Sequence, residues 1–286
     1  MKWKDRRRSS NVNRGSKAPV VFGGGIGGLI LMLVFYFLGA DPGTINSNTY
    51  ENGQSQYEES VALSDEDKEL EDFLSVVLAD TEDMWNETFN SYNLNYNEPS
   101  MTLYQDTTKS SCGIAQAGMG PFYCPMDEAI YIDVSFYNEL KETFGAGGDF
   151  AFAYVLAHEV GHHIQNELGI LSQVNSLRTE LSEVEYNKYS VAQEIQADYF
   201  AGVYAYYSKD KGYLEKGDIE EAMTAAKSIG DDKIQEMSGM KVNPDSFTHG
   251  SSRDRKDAFM LGLKYHDIEN SMIFYENLAY APSLAN

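Results

Sequence analysis

The chain has 286 residues, with 22 Lys+Arg against 44 Asp+Glu and a formal net charge of −22. This length fits one or two domains. So acidic a surface repels nucleic acid and anionic lipid headgroups, which excludes a nucleic-acid-binding role and leaves solubility, cationic substrates or bound cations as uses for the charge.

The charge is unevenly spread. Residues 1–17 hold seven of the basic side chains (Lys2, Lys4, Arg6, Arg7, Arg8, Arg14 and Lys17) against the single acid Asp5, whereas residues 18–40 hold no charge. An uncharged stretch of that length can cross a bilayer as one helix, for which about 20 apolar residues suffice. It is too long for an ordinary signal-peptide core of about 7–15 residues. The expectation is a basic cytoplasmic tail (1–17), a transmembrane helix (18–40) and everything beyond on the extracytoplasmic side of the cell membrane. The alternative is a cleaved signal ending near Leu38-Gly39-Ala40. The pairs Gly23/Gly27 and Gly24/Gly28 have the spacing that lets two such helices pack, so a homo-oligomer through this segment is a further expectation. Residues 41–63, rich in Asn, Ser, Gln, Glu and Gly without apolar periodicity, read as a flexible linker.

A folded domain is expected over 64–286. Ser64, with Asp67 three residues on, predicts a capped helix whose core face carries Leu70, Phe73, Leu74, Val77, Leu78 and Trp85. Met101–Gln105 is expected as a strand and 113–120 as a Gly- and Ala-bearing loop. Ile130, Ile132 and Val134 alternate with polar neighbours, a strand signal. The only two cysteines are Cys112 and Cys124. A disulfide between them is permitted outside the cytoplasm, two free thiols are the alternative, and the spacing does not suit zinc. Gly145 to Gly148 breaks the chain before the next helix, and Gly169 ends that helix. An acidic connector (178–186) and helices near 187–208, 217–229 and 251–263 complete the reading.

The helix between those glycine breaks carries His158-Glu159-Val160-Gly161-His162, with no charge between Asp149 and His158. Residues four apart share a helical face, so both imidazoles can reach one zinc ion. Glu159 sits about 100° round the helix, where it can act as a general base without being a ligand. A chance HExxH falls more often on a solvated, charged helix. Here the surrounding residues are apolar, and two histidines and a glutamate buried without partners would be costly.

A catalytic zinc takes three protein ligands. Glu194 and Asp198 are four apart on a helix whose neighbours are apolar or small. Glu194 is the expected third ligand, and Asp198 the acceptor for the other ring nitrogen of His158. An ordinary solvated acidic pair is the alternative. His163 is about 140° from His158 round the helix and cannot join the same ion, so it reads as a supporting residue. His266 reads as a surface residue. His249, in a loop ahead of a helix carrying Arg253 and Arg255, is a candidate catalytic residue that could stabilise an oxyanion, or else a cap for that helix.

Several blocks taken together resemble the bacterial neutral zinc metallopeptidase family of membrane-anchored proteins: residues 1–12, the Gly-rich apolar segment, Gly120 to Pro125, Ala157 to Gln165, Glu194 to Asp198, and Phe247 to Ser252. The resemblance spans nearly the whole chain. It implies an α+β zincin-like domain, mostly helical with a small sheet, zinc as cofactor and Glu194 as third ligand. It also implies a histidine at position 163, where other zincins carry an apolar residue. By analogy with zincin folds, Ala129–Asp133 would lie above the metal helix and pair with extended substrate. The expected activity is a membrane-anchored zinc metalloendopeptidase acting on peptide or protein substrates. The rival is a non-catalytic zinc-binding membrane scaffold that keeps the ligands and has no use for Glu159.

Overall fold

A computed structural model describes residues 1–15, 64–116 and 118–284. The expected span (18–40) and linker (41–63) lie outside the described residues. Among the described residues, no helix is long and apolar enough to cross a membrane.

The first long helix, α1 (Asp65–Ser91), begins at the capping box expected of Ser64 and Asp67. The Ser64 hydroxyl accepts the Asp67 N–H, and the Asp67 carboxylate accepts the Ser64 N–H. Phe73, Leu74, Val77, Leu78 and Trp85 are buried, and Trp85 meets Phe200 edge-on. The fold is α+β. A four-stranded sheet of β1 (Val12–Arg14), β2 (Ser100–Tyr104), β5 (Phe122–Cys124) and β6 (Ala129–Asp133) has the order β1-β2-β6-β5. The pairs β1–β2 and β2–β6 are parallel, whereas β5 runs antiparallel to β6, with Tyr123 opposite Ile130. β3 (Thr107–Ser110) and β4 (Gly113–Gln116) form a separate hairpin, so the first half of the stretch read as a loop, 113–120, is a strand. Cys112 and Cys124 are joined in a disulfide, Cα–Cα 5.8 Å, which ties this hairpin to the end of β5.

Two sequence expectations change here. β6 is a strand as read, but it lies between β2 and β5 and all five of its residues are buried. It therefore has no free edge for a substrate, and among the described residues the unpaired edge beside the helix of His158 and His162 belongs to β5. Residues 1–15, read as a separate basic tail, are part of the folded body. β1 adds a strand to β2, and Trp3 packs edge-on against Phe73.

The helices follow as α2 (Phe136–Glu142), α3 (Asp149–Glu167), α4 (Ile170–Ser176), α5 (Glu183–Asp210), α6 (Asp218–Ser228), α7 (Asp231–Met237) and α8 (Ser252–Tyr265). α3 and α5 are the buried pair that carries the site, and glycine sets how close they come. A Cβ on Gly161 would lie 2.9 Å from the Ala197 Cα and carbonyl oxygen. A second approach of the same kind joins α5 to α8. A Cβ on Gly202 would meet the Phe259 carbonyl at 2.1 Å, and one on Gly262 would meet the Tyr199 carbonyl at 1.8 Å. With these three positions reduced to hydrogen, α5 is clamped between α3 and α8 at backbone contact distance.

Candidate metal centre

α3 and α5 bring His158, His162 and Glu194 together, and their ligand atoms all lie within 4.8 Å of one another. Glu194 Oε2 is 3.3 Å from His158 Nε2, and Glu194 Oε1 is 3.5 Å from His162 Nε2. The other nitrogen of each ring is already committed. His158 Nδ1 donates to Asp198 Oδ1 at 2.9 Å, and His162 Nδ1 donates to Gln165 Oε1 at 3.0 Å. Both Nε2 atoms therefore face Glu194. Two imidazole nitrogens and a carboxylate form the donor set of a catalytic zinc, with the outer nitrogens held as such sites require. The residues present thus fit the ion.

The electrostatics agree. Burial alone would raise Glu194, but the His162, His158 and His249 rings outweigh it and hold its carboxyl well below the usual range. Burial alone would lower His158, but Asp198 and Glu194 reverse this and lift it to about 10. Glu159 lies beside both histidines in the same cleft. Burial dominates there and raises its carboxyl, while His158 and His162 pull the other way.

Around Asp198 the structure adds residues that sequence reasoning did not place. The Arg255 guanidinium donates to both carboxylate oxygens, Nε to Oδ2 at 2.8 Å and Nη2 to Oδ1 at 3.1 Å, and the Tyr154 hydroxyl donates to Oδ1. Arg255 comes from α8, across the Gly202–Gly262 contact. Its side chain is only 3% exposed and serves as the counter-ion of Asp198 at the base of the cleft. Burial would raise Asp198; Arg255 and His158 keep it low. On the other ligand, the Gln165 amide donates to the Gln193 carbonyl at 2.6 Å and to Gln196 Oε1 at 3.0 Å, which links His162 to the backbone of α5 beside Glu194. No local sequence signal marks Arg255, Tyr154 or Gln165 for these roles.

The remaining histidines divide as their positions require. His163 points away from the ion site, is fully buried, and donates from Nε2 to the Asn97 carbonyl at 2.6 Å. Its Nδ1 accepts from the Tyr123 hydroxyl at 3.0 Å, which fastens β5 to α3. His266 is a surface residue stacked on Tyr206. His249 lines the cleft with Glu159 and Glu194. Its Nδ1 is 3.1 Å from Asp231 Oδ1, and Asp231 Oδ2 accepts the backbone N–H groups of Thr248, His249 and Gly250 at 2.7, 2.7 and 3.0 Å. Asp231, at the start of α7, therefore holds the whole His249 loop. Short α7 was not anticipated, and Asp231 was missed with it.

The cleft has a volume of about 440 Å³. One wall is the run Gly120 to Tyr123 leading into β5. Phe136, Phe144, Val155, Ile229 and Ile234 add apolar surface, and Arg178 stands at the α4–α5 connection.

Comparison with known proteins agrees with this donor set. The profile of the family described as "Putative neutral zinc metallopeptidase" matches residues 1–274. The chain is 42% identical over 276 residues to "Uncharacterized protein YpfJ" of Escherichia coli strain K12, covering 93% of this chain and 96% of the relative. It is 40% identical over 183 residues to "Uncharacterized protein Rv2575" of Mycobacterium tuberculosis strain H37Rv, covering 60% of this chain and 61% of the relative. No solved structure matches. With the profile spanning almost the whole chain and the buried His158, His162 and Glu194 set suited to zinc, this protein belongs to the neutral zinc metallopeptidase family.

Proposed function

We propose that the protein is a zinc endopeptidase that binds an extended stretch of peptide along β5 and hydrolyses it beside Glu159. The observation that carries this reading is the placement of a buried, non-ligand carboxylate, Glu159, in the same cleft as three converging ligand side chains. Held by His158, His162 and Glu194, zinc would supply Lewis acidity toward a water and a carbonyl. The residues of the chain do the rest. Glu159, its basicity raised by burial, takes a proton from the attacking water on a carboxylate oxygen and delivers it to the departing amine nitrogen. Asp198, with Arg255 and Tyr154 behind it, keeps His158 in one tautomer and orientation. His249, braced by Asp231, is placed to donate to the carbonyl oxygen as it gains charge. The free edge of β5 offers main-chain pairing for substrate. The apolar wall of the cleft favours an apolar side chain next to the scissile bond.

Glu159→Gln tests the reading against a zinc-binding scaffold. It keeps size and removes the base, and cleavage of a broad peptide library by the full-length protein should fall by about 10²–10⁴-fold. Zinc content should be unchanged. Cleavage undiminished in the variant would take the base role away from Glu159, and no cleavage by zinc-loaded wild type would favour the scaffold.

A further inference from the structure

The amino-terminal segment is bound to the domain by every kind of contact that defines a fold. Its backbone is paired: the Lys2 N–H donates to the Tyr213 carbonyl at 2.8 Å, the Ser9 N–H to the Ser75 carbonyl at 2.9 Å, and β1 runs in parallel register with β2, Asn13 opposite Thr102. Five of its basic side chains each meet an acid on one helix, α1. Lys4 pairs with Glu69 (3.0 Å), Arg6 with Asp80, Arg7 with Glu82 (2.9 Å) and Asp83 (2.8 Å), Arg8 with Asp72 (2.9 Å) and Arg14 with Glu71 (2.9 Å).

Two of these acids lie inside the protein. Glu82 is 1% exposed, and its partners are Arg7, Ser9 and Asn11, all from the segment. Asp80 is 6% exposed and meets Arg6 and the Tyr204 hydroxyl. Lifting the segment away would leave these carboxylates without their counter-ions, which is costly for each group that stays buried. It would also strip the outer edge of β2. The segment is therefore part of the domain's folded state.

This bears directly on membrane placement. A stretch that crosses a bilayer once leaves its two ends on opposite faces. Two helical crossings would need about 40 apolar residues, and the uncharged run is 18–40. We propose that residues 2–15 are a permanent strand-and-strap of the peptidase fold, so that the amino-terminal segment and the active site occupy the same face of any membrane the chain meets. The basic cluster that resembles a cytoplasmic retention signal is, on this reading, a set of counter-ions matched to α1.

Two measurements on the full-length chain in its cells test this. Lys4→Cys and Met240→Cys each place a thiol at an exposed position, one on the segment and one on the domain, while the native cysteines stay in their disulfide. A membrane-impermeant maleimide should label both variants in intact cells, or both only after permeabilisation. Labelling of one in intact cells and of the other only after permeabilisation overturns the proposal. The pair Asn13→Cys and Thr102→Cys, register partners across β1 and β2, should cross-link within one chain in most copies under mild oxidation of isolated membranes or extract. Folded, zinc-containing protein in which both thiols react with maleimide and no cross-link forms would overturn it equally.

Discussion

The two walls of the cleft are built differently. The helical wall, α3, α5 and α8, is held by backbone-to-backbone contacts at Gly161, Gly202 and Gly262 and by a buried polar network through Asp198, Arg255, Gln165 and Gln196. Each ligand histidine has its second nitrogen occupied, and nothing in this wall can shift without breaking several contacts. The opposite wall, Gly120 to Cys124, ends in the three-residue strand β5, fastened by one ladder to β6, the Cys112–Cys124 disulfide and the Tyr123–His163 hydrogen bond. Over-determination suits the wall that holds ligand atoms to a fraction of an ångström. A short strand on few fastenings suits the wall that must admit a chain and release its pieces.

If that contrast is right, changes in the two walls should differ in kind. The largest effect is expected from Arg255→Met, which leaves Asp198 buried without its counter-ion. Breaking such a pair costs about 3–5 kcal/mol, and loss of support behind a ligand histidine typically weakens metal binding about 10–100-fold. Denaturant unfolding and a zinc competition titration would measure both. Unchanged zinc affinity would mean that the helical wall does not depend on this network.

Removing the disulfide with Cys112→Ala/Cys124→Ala should cost about 3 kcal/mol in the chain-entropy model, and its signature should be different. Zinc affinity should hold while KM for an extended peptide rises, because the loosened element is β5. A fall in zinc affinity matching that of Arg255→Met would erase the distinction between the walls.

The smallest effect is expected where the cleft is closed by a loop. Burial would raise Asp231, but its hydrogen bond and charge interaction with His249, together with the loop N–H groups, hold it below the ordinary carboxylate value of 3.8. Its folded-state pKa is thus depressed. The stability it contributes is present above pH 3.8 and is lost as pH falls through the lower folded value. Asp231→Asn should therefore cost about 1.5–3 kcal/mol near neutral pH, the worth of hydrogen bonds to a charged group, with the gap from wild type narrowing below about pH 4. Thermal melts at pH 6 and pH 3.5 would show this, and a gap that stays constant with pH would assign the loop's stability to something other than the Asp231 charge.

Much of the helical wall was legible before any fold was known. His158, Glu159 and His162 are neighbours on one helix, so spacing alone places them. Glu194 and Asp198 are likewise four apart, and an apolar helix with two acids on one face requires partners for them. The start of α5 was misread: the periodic pattern suggested 187 after an acidic connector, whereas Ser182 and Glu185 form a capping box that starts the helix at Glu183. The short helices α2, α4 and α7, of seven residues each, are two turns long and leave too little periodicity to detect. The other wall was misread at one point. Alternation identifies 129–133 as a strand but says nothing of its place in the sheet, and β6 turned out to be interior.

The sequence by itself determined the elements whose chemistry is local: the metal helix, the acid pair on α5, the capped start of α1 and the zinc-binding character of the family. Tertiary structure decided what depends on residues far apart in the chain. Arg255 reaches Asp198 only because Gly202 and Gly262 let α8 touch α5. β5 rather than β6 borders the cleft because of strand order. The basic residues at the amino terminus are counter-ions to α1 because β1 pairs with β2. Helical spacing acts over a few residues and can be read along the chain, whereas strand order, close helix crossings and buried charge pairs are set by packing between distant segments.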